Sequence, residues 1–129
     1  MTFALTAPYA AALTLIYIVL TQLVIVTRGK AKVALGDGGN PAVLQAMRRQ
    51  ANFVENVPLT ILMMMLAEAG GSGATLLNTL GLILLVARII HPFGIDANNG
   101  ALPARIAGAV ATSGVQLALV IILALHYFA

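Results

Sequence analysis

The sequence predicts an all-α integral membrane protein, a four-helix bundle forming one domain over residues 1–129, and three observations carry that prediction. Hydrophobic residues make up 60% of the chain and charged residues 9%, and mean hydropathy is +0.99, far from the composition of a soluble domain. The apolar residues fall into four stretches, each close to the roughly 20 residues that carry a helix across about 30 Å of hydrocarbon. Between the stretches lie turn-forming residues and nearly all the positive charge.

The first stretch, about Ala7–Thr27, lacks a basic leader segment and runs directly into Arg28, Lys30 and Lys32, which reads as a retained anchor rather than a cleaved signal. Gly36-Asp37-Gly38-Gly39 then supplies loop geometry. Asn40 followed by Pro41 has the form of an N-cap with proline in the first helical position. The second helix is therefore expected from Pro41 to about Ala69, although its apolar part is only Phe53–Ala69. At 1.5 Å per residue it measures about 40 Å, longer than the hydrocarbon core, so Arg48 and Arg49 lie at or beyond the interface and Asn52 and Glu55 just inside it. Pro58 falls within this helix, where neighbouring helices in a membrane can satisfy the freed carbonyl; a kink there would widen a cavity beside Glu55. Gly70-Gly71-Ser72-Gly73 is an uncharged turn. The third stretch, Thr75–Ile90, ends around Arg88–His91 with Pro92 and Gly94 as stop signals. The fourth, Ile106–Phe128, begins as a helix near Arg105 and carries Ala104, Gly108, Ala111, Ser113 and Gly114, small residues that let helices approach closely in lipid.

Five Lys or Arg lie between stretches one and two, and Arg88 and Arg105 flank the connection between three and four, while the Gly70–Gly73 turn carries none. The positive-inside rule places both basic loops in the cytoplasm of a bacterial inner membrane and both termini outside it. Phe3, Tyr9, Tyr127 and Phe128 then form an aromatic belt at the outer interface. The same rule accounts for the pI near 9.8, so nucleic acid is not an expected partner. Without cysteine there is no disulfide, thiolate metal site or cysteine nucleophile, and two isolated histidines make no metal site.

Arg48, Asn52 and Glu55, spaced i, i+4, i+7, form one stripe on a helix. A carboxylate facing lipid costs about 2.5–3.5 kcal/mol on insertion scales, so such a group normally faces a bundle interior or a polar cavity. One reading of the stripe is an intrahelical ion pair with an interhelical amide bond. The other is a pocket for a zwitterionic, polyanionic small molecule, in which arginine grips carboxylates, Glu55 receives an ammonium and Asn52 both donates and accepts. Arg88 and Arg105 arrive at the same depth from other helices. His91 is either a substrate contact or a helix-end residue favoured by the dipole. Lys30, Lys32 and Arg49 read as topology determinants, His126 as a bystander and Met63–Met65 as packing. Four short helices enclose little volume, so an oligomer with the site between subunits is expected.

Arg48-x3-Asn52-x2-Glu55-x2-Pro58 resembles the signature of the membrane-associated proteins in eicosanoid and glutathione metabolism. Gly-Asp-Gly-Gly-Asn at 36–40, Asn-Phe-Val-Glu at 52–55 and Arg-Ile-Ile-His-Pro-Phe-Gly at 88–94 are similar to its small bacterial branch. The resemblance covers nearly the whole chain. It implies a homotrimer holding glutathione as cosubstrate between subunits near the cytoplasmic face. Arg48 and Asn52 would bind the tripeptide's carboxylate and backbone, Glu55 its amino group, and Arg105 would stabilise the thiolate. Arg28 lies near a basic position that some members use. His91 and Ile95 stand where members often have tyrosine, and Ile106 where some have serine; these departures bear on the catalytic step more than on glutathione binding. A thiol of ordinary pKa about 8.5 is biased toward thiolate by an adjacent guanidinium, and an apolar electrophile would reach it from the bilayer. The expected function is a glutathione-dependent transferase or peroxidase acting on hydrophobic electrophiles. The alternative is a binding or regulatory protein that keeps the fold without turnover. A small multidrug transporter would need a carboxylate deep in the first helix, and Ala7–Thr27 has none.

Overall fold

Local chemistry fixes the ends of each helix before packing brings them together. In the computed structural model, which describes residues 2–99 and 102–128, the helices are α1 (Ala7–Ala31), α2 (Pro41–Ala69), α3 (Ala74–Ile90) and α4 (Pro103–Phe128), with a single 3-10 turn at His91–Gly94 after α3. Asn40 caps α2 as expected: its side-chain oxygen accepts from the Ala42 and Val43 N–H groups at 3.0 and 3.2 Å, with Pro41 in the first turn. The other end of α2 closes through Gly71, whose φ of +89° places it in the left-handed region. The Gly71 N–H then donates to Glu68 O and the Ser72 N–H to Ala67 O, so the turn satisfies two terminal carbonyls.

Helix α1 has no side-chain cap of its own at its start. Glu68, from the far end of α2, supplies the acceptors: Oε1 takes the Leu5 N–H, and Oε2 takes the Thr6 N–H and the Thr6 hydroxyl, at 2.9, 2.9 and 2.6 Å. A carboxylate at a helix N-terminus meets both the unsatisfied donors and the positive end of the dipole.

Helices α1, α3 (with its 3-10 extension) and α4 are each long and apolar enough to cross a membrane. Helix α2 is the longest but falls short in apolarity, because Asn52, Glu55, Asn56 and Glu68 interrupt its run. It packs against α1 on one side and α4 on the other, while α3 packs against α4 and α1. Leu13 and Leu20 of α1, Phe53, Val57 and Met64 of α2, Leu77 and Leu84 of α3, and Val115 and Leu119 of α4 share the core. Met64 is thus core packing, flanked by half-buried Met63 and Met65.

Pro58 does not interrupt α2. The groove it borders, about 400 Å³, lies between α1 and α2 against Tyr17, Phe53 and Val57. Glu55 does not line it, so the expected cavity beside that carboxylate is instead an apolar groove around the helix from it. Of the small residues on α4, Gly108 serves close packing: a Cβ there would sit 2.7 Å from that of His91 and 2.9 Å from the Ala87 carbonyl oxygen. Ser113 and Gly114 are exposed, and a Cβ at Gly114 would meet nothing within 4 Å.

Candidate functional site

Capping by Asn40 and the uninterrupted run of α2 set Arg48, Asn52 and Glu55 along one side of the helix. The first two line a polar cleft of about 230 Å³ between α2 and the connection from α3 to α4. Arg105 from the first turn of α4 and Ile95-Asp96-Ala97 form its opposite wall. Two contacts hold that connection against α2. Arg49 Nη2 donates to the Ile95 carbonyl at 3.0 Å, and the Ala97 N–H donates to Gln45 Oε1 at 3.3 Å. Gly94 allows the approach, because a Cβ there would overlap the backbone of Arg105. Its place in the sequence marks a contact between the connection and α4 as well as the end of a helix.

Asp96 brings an acid to the cleft that sequence reasoning left unassigned. The Asn98 N–H at 2.8 Å and the Asn99 side-chain amide at 3.0 Å donate to its carboxylate and hold it below the usual carboxylate range, with Arg49 adding to the effect. The cleft therefore carries cations from Arg48 and Arg105, an anion from Asp96 and amides from Asn52 and Gln45. That combination suits a small molecule bearing charges of both signs.

The remaining expected residues divide. Glu55 is exposed and does not line the cleft; it shares the outer face of α2 with Leu44, Leu59, Leu62 and Leu66, all exposed. Arg88 is 2% exposed, inside the helix bundle rather than in the cleft. Its Nη1 donates to Asn52 Oδ1 at 3.0 Å, and its Nη2 to the Gly108 carbonyl at 3.0 Å and to the Thr112 hydroxyl. Arg88 thereby fixes which end of the Asn52 amide is an acceptor already in use, leaving its NH2 as the end free to donate. His91, 3% exposed, is buried against Gly108 of α4 and does not line the cleft. Arg28 is turned away from the cleft to the loop after α1 and to α2, donating to the Ala34 carbonyl at 3.2 Å and to Met47 Sδ at 3.5 Å. Of the seven expected residues the cleft unites Arg48, Asn52 and Arg105.

A polar chain continues inward from Asn52. Asn56 Nδ2 donates to the Asn52 carbonyl, the Thr60 hydroxyl donates to the Asn56 carbonyl, and Gln116 Nε2 of α4 donates to Thr60 Oγ1 at 3.0 Å. Buried amides and hydroxyls in lipid need such partners. Gln116 was the available sequence signal, a lone amide within an apolar stretch.

A four-helix chain with three helices apolar enough to span a membrane and a two-signed polar cleft at one end of α2 defines a class of small membrane-embedded helical proteins. Residues 6–125 match the model of the MAPEG family, and the chain belongs to that family. It is also 34% identical over 67 residues to an inner membrane protein of Escherichia coli K12, YecN, and equally to its counterpart in E. coli strain O6:H1. The match takes in 52% of this chain and 51% of each relative, so it spans about half the length of the curated relatives.

Proposed function

We propose that the protein is a four-span bacterial inner-membrane enzyme that binds glutathione in this cleft. It adds the thiolate sulfur to hydrophobic electrophiles, forming a carbon–sulfur bond as a leaving group departs or a polarised double bond takes up the proton, or it uses two glutathiones to reduce a hydroperoxide to an alcohol and water with formation of the disulfide. Membership of the MAPEG family and a relative named as an inner membrane protein support the setting. The observation that carries the site is the convergence of Arg48, Asn52 and Arg105 on one polar cleft while Glu55 lies exposed on the same side of α2. A carboxylate left against acyl chains is costly, up to about 2.5–3.5 kcal/mol at the bilayer centre and less near the interface, which favours a second subunit across the outer face of α2 and a ligand ammonium at Glu55. A homotrimer with glutathione between subunits meets both requirements. Arg48 grips a glutathione carboxylate, the Asn52 NH2 donates to its backbone, Glu55 holds its amino group, and Arg105 supplies the positive field that favours the thiolate. Both basic loops then face the cytoplasm and both termini the opposite side.

Calorimetry on the purified protein tests this. Glutathione binding to wild type is expected, with at least about a tenfold loss in Arg48→Ala and in Glu55→Ala. In Arg105→Ala the ultraviolet absorbance of the bound thiolate should shift to higher pH by about one unit. Wild type that binds no glutathione would overturn the reading. A second reading, a non-catalytic binding protein of the same fold, has a specific observation in its favour. His91 replaces a tyrosine common in the family and is buried, so it offers no donor to the cleft. Glutathione binding without turnover of a panel of model electrophiles and hydroperoxides would select that reading.

A further inference from the structure

Of the charged groups on the walls of the polar cleft, Asp96 has as yet no role, and its surroundings hold it in place as a binding group would be held. The backbone is fixed on either side of it: the Ile95 carbonyl accepts from Arg49 Nη2, and the Ala97 N–H donates to Gln45 Oε1. The side chain is fixed as well, with Oδ1 accepting from the Asn98 N–H and Oδ2 from the Asn99 amide. These donors keep the carboxylate ionised at neutral pH, and with about four acceptor positions on a carboxylate they leave both oxygens room for a further donor. Arg49 is the one cation that acts on Asp96, and only through space. Among the described residues Asp96 forms no ion pair with Arg48 or Arg105, which are exposed and share the cleft. Two positive groups and one negative group thus face a space of about 230 Å³ without neutralising one another by contact. Glutathione at neutral pH carries the complement, two carboxylates and one ammonium.

With glutathione as the occupant, which rests on the function proposed above, the geometry points to Asp96 as a second anchor for the ligand's ammonium, reaching it from the wall opposite Arg48 and Asn52. An ammonium has three N–H donors, so a bond to Asp96 leaves two for Glu55. Asp96 is then a specificity-determining residue. The cleft favours thiols with a free amino group, and it repels a carboxylate placed where that amino group belongs.

Calorimetry with two ligands tests this: glutathione, and glutaryl-cysteinylglycine, which is the same tripeptide without its amino group. Asp96→Asn is expected to lose about tenfold in affinity for glutathione, the loss of one charge-assisted bond, and to bind the deaminated analogue within about twofold of wild type. A second comparison leaves Asp96 intact. In Glu55→Ala, glutathione should still bind about tenfold more tightly than the analogue, because one carboxylate remains for the ammonium. Folded Asp96→Asn that binds glutathione as wild type does, or that weakens both ligands alike, would overturn the assignment. So would Glu55→Ala that binds the two ligands equally, and this comparison still decides should Asp96→Asn fail to fold. Wild type that binds both ligands alike would overturn the ammonium contact and leave glutathione binding standing, whereas wild type that binds neither would overturn both.

Discussion

At the scale of single residues, the pairing of Arg88 with Asn52 separates binding from folding. The Asn52 Oδ1 accepts from the guanidinium of Arg88, a residue 2% exposed, so this oxygen serves the fold while the NH2 beside it faces the cleft end and is the group the proposed ligand would use. Asn52→Ala removes the acceptor and strands a buried charged donor, a loss of about 1–3 kcal/mol on unfolding. Asn52→Asp keeps the acceptor and gives the buried cation a counter-charge, yet deletes the donor and adds repulsion toward a carboxylate ligand. The expected outcome is that Asn52→Asp unfolds in denaturing detergent at wild-type conditions or later while glutathione affinity falls at least about tenfold. Asn52→Ala should lose both stability and affinity. If Asn52→Asp bound glutathione as wild type does, the amide would have no part in the site. A stripe of Arg48, Asn52 and Glu55 on one helix face was readable from spacing alone. The commitment of Asn52 to Arg88 was not, because it joins positions 36 residues apart.

At the scale of elements, the start of α1 depends on the end of α2. Without a cap of its own, α1 presents the Leu5 and Thr6 N–H groups to Glu68, which also takes the Thr6 hydroxyl. Glu68→Ala removes every one of these acceptors at once. It is expected to destabilise the bundle by about 1.5–3 kcal/mol, measured by denaturing-detergent unfolding, with protease sensitivity rising first near the start of α1. Unchanged stability would show that water replaces the carboxylate at no net cost. Helix boundaries were the most legible feature of the chain. Asn40-Pro41, the Gly70–Gly73 turn and Pro92 with Gly94 each state local backbone requirements, and the helices begin and end within a few residues of the positions they imply. Less legible were contacts that local chemistry does not encode. Glu68 looks like an isolated acid in an apolar run until α1 is folded back beside it, and Asp96 looks like a loop residue until that loop is pinned to Gln45 and Arg49. Arg28, Arg88 and His91 were expected at the site because sequence gives depth along a helix but not the direction of a side chain in a bundle.

At the scale of the whole molecule, the single chain leaves two features unexplained by its own packing. One is Glu55 among the exposed leucines of α2, and the other is the exposed pair Ser113 and Gly114 on α4. In lipid, helices associate through close backbone approach at small residues, so a glycine that packs against nothing in its own subunit is a candidate contact between subunits. Gly114→Leu isolates that role. A side chain there meets open space within the subunit, and leucine favours helix over glycine by up to about 1 kcal/mol, so the fold of one subunit should be unharmed or slightly steadier. Sedimentation in detergent is expected to show three copies for wild type and a reduced trimer fraction for Gly114→Leu, with helicity retained. On the proposed trimer glutathione binding should fall in step, since a site shared with a neighbour would lose its second wall when the neighbour leaves. A Gly114→Leu protein that stays trimeric would assign this stretch of α4 to lipid and move the contact to α2. Wild type sedimenting as a monomer while binding glutathione at full affinity would instead require the cleft to work alone, with Glu55 outside it.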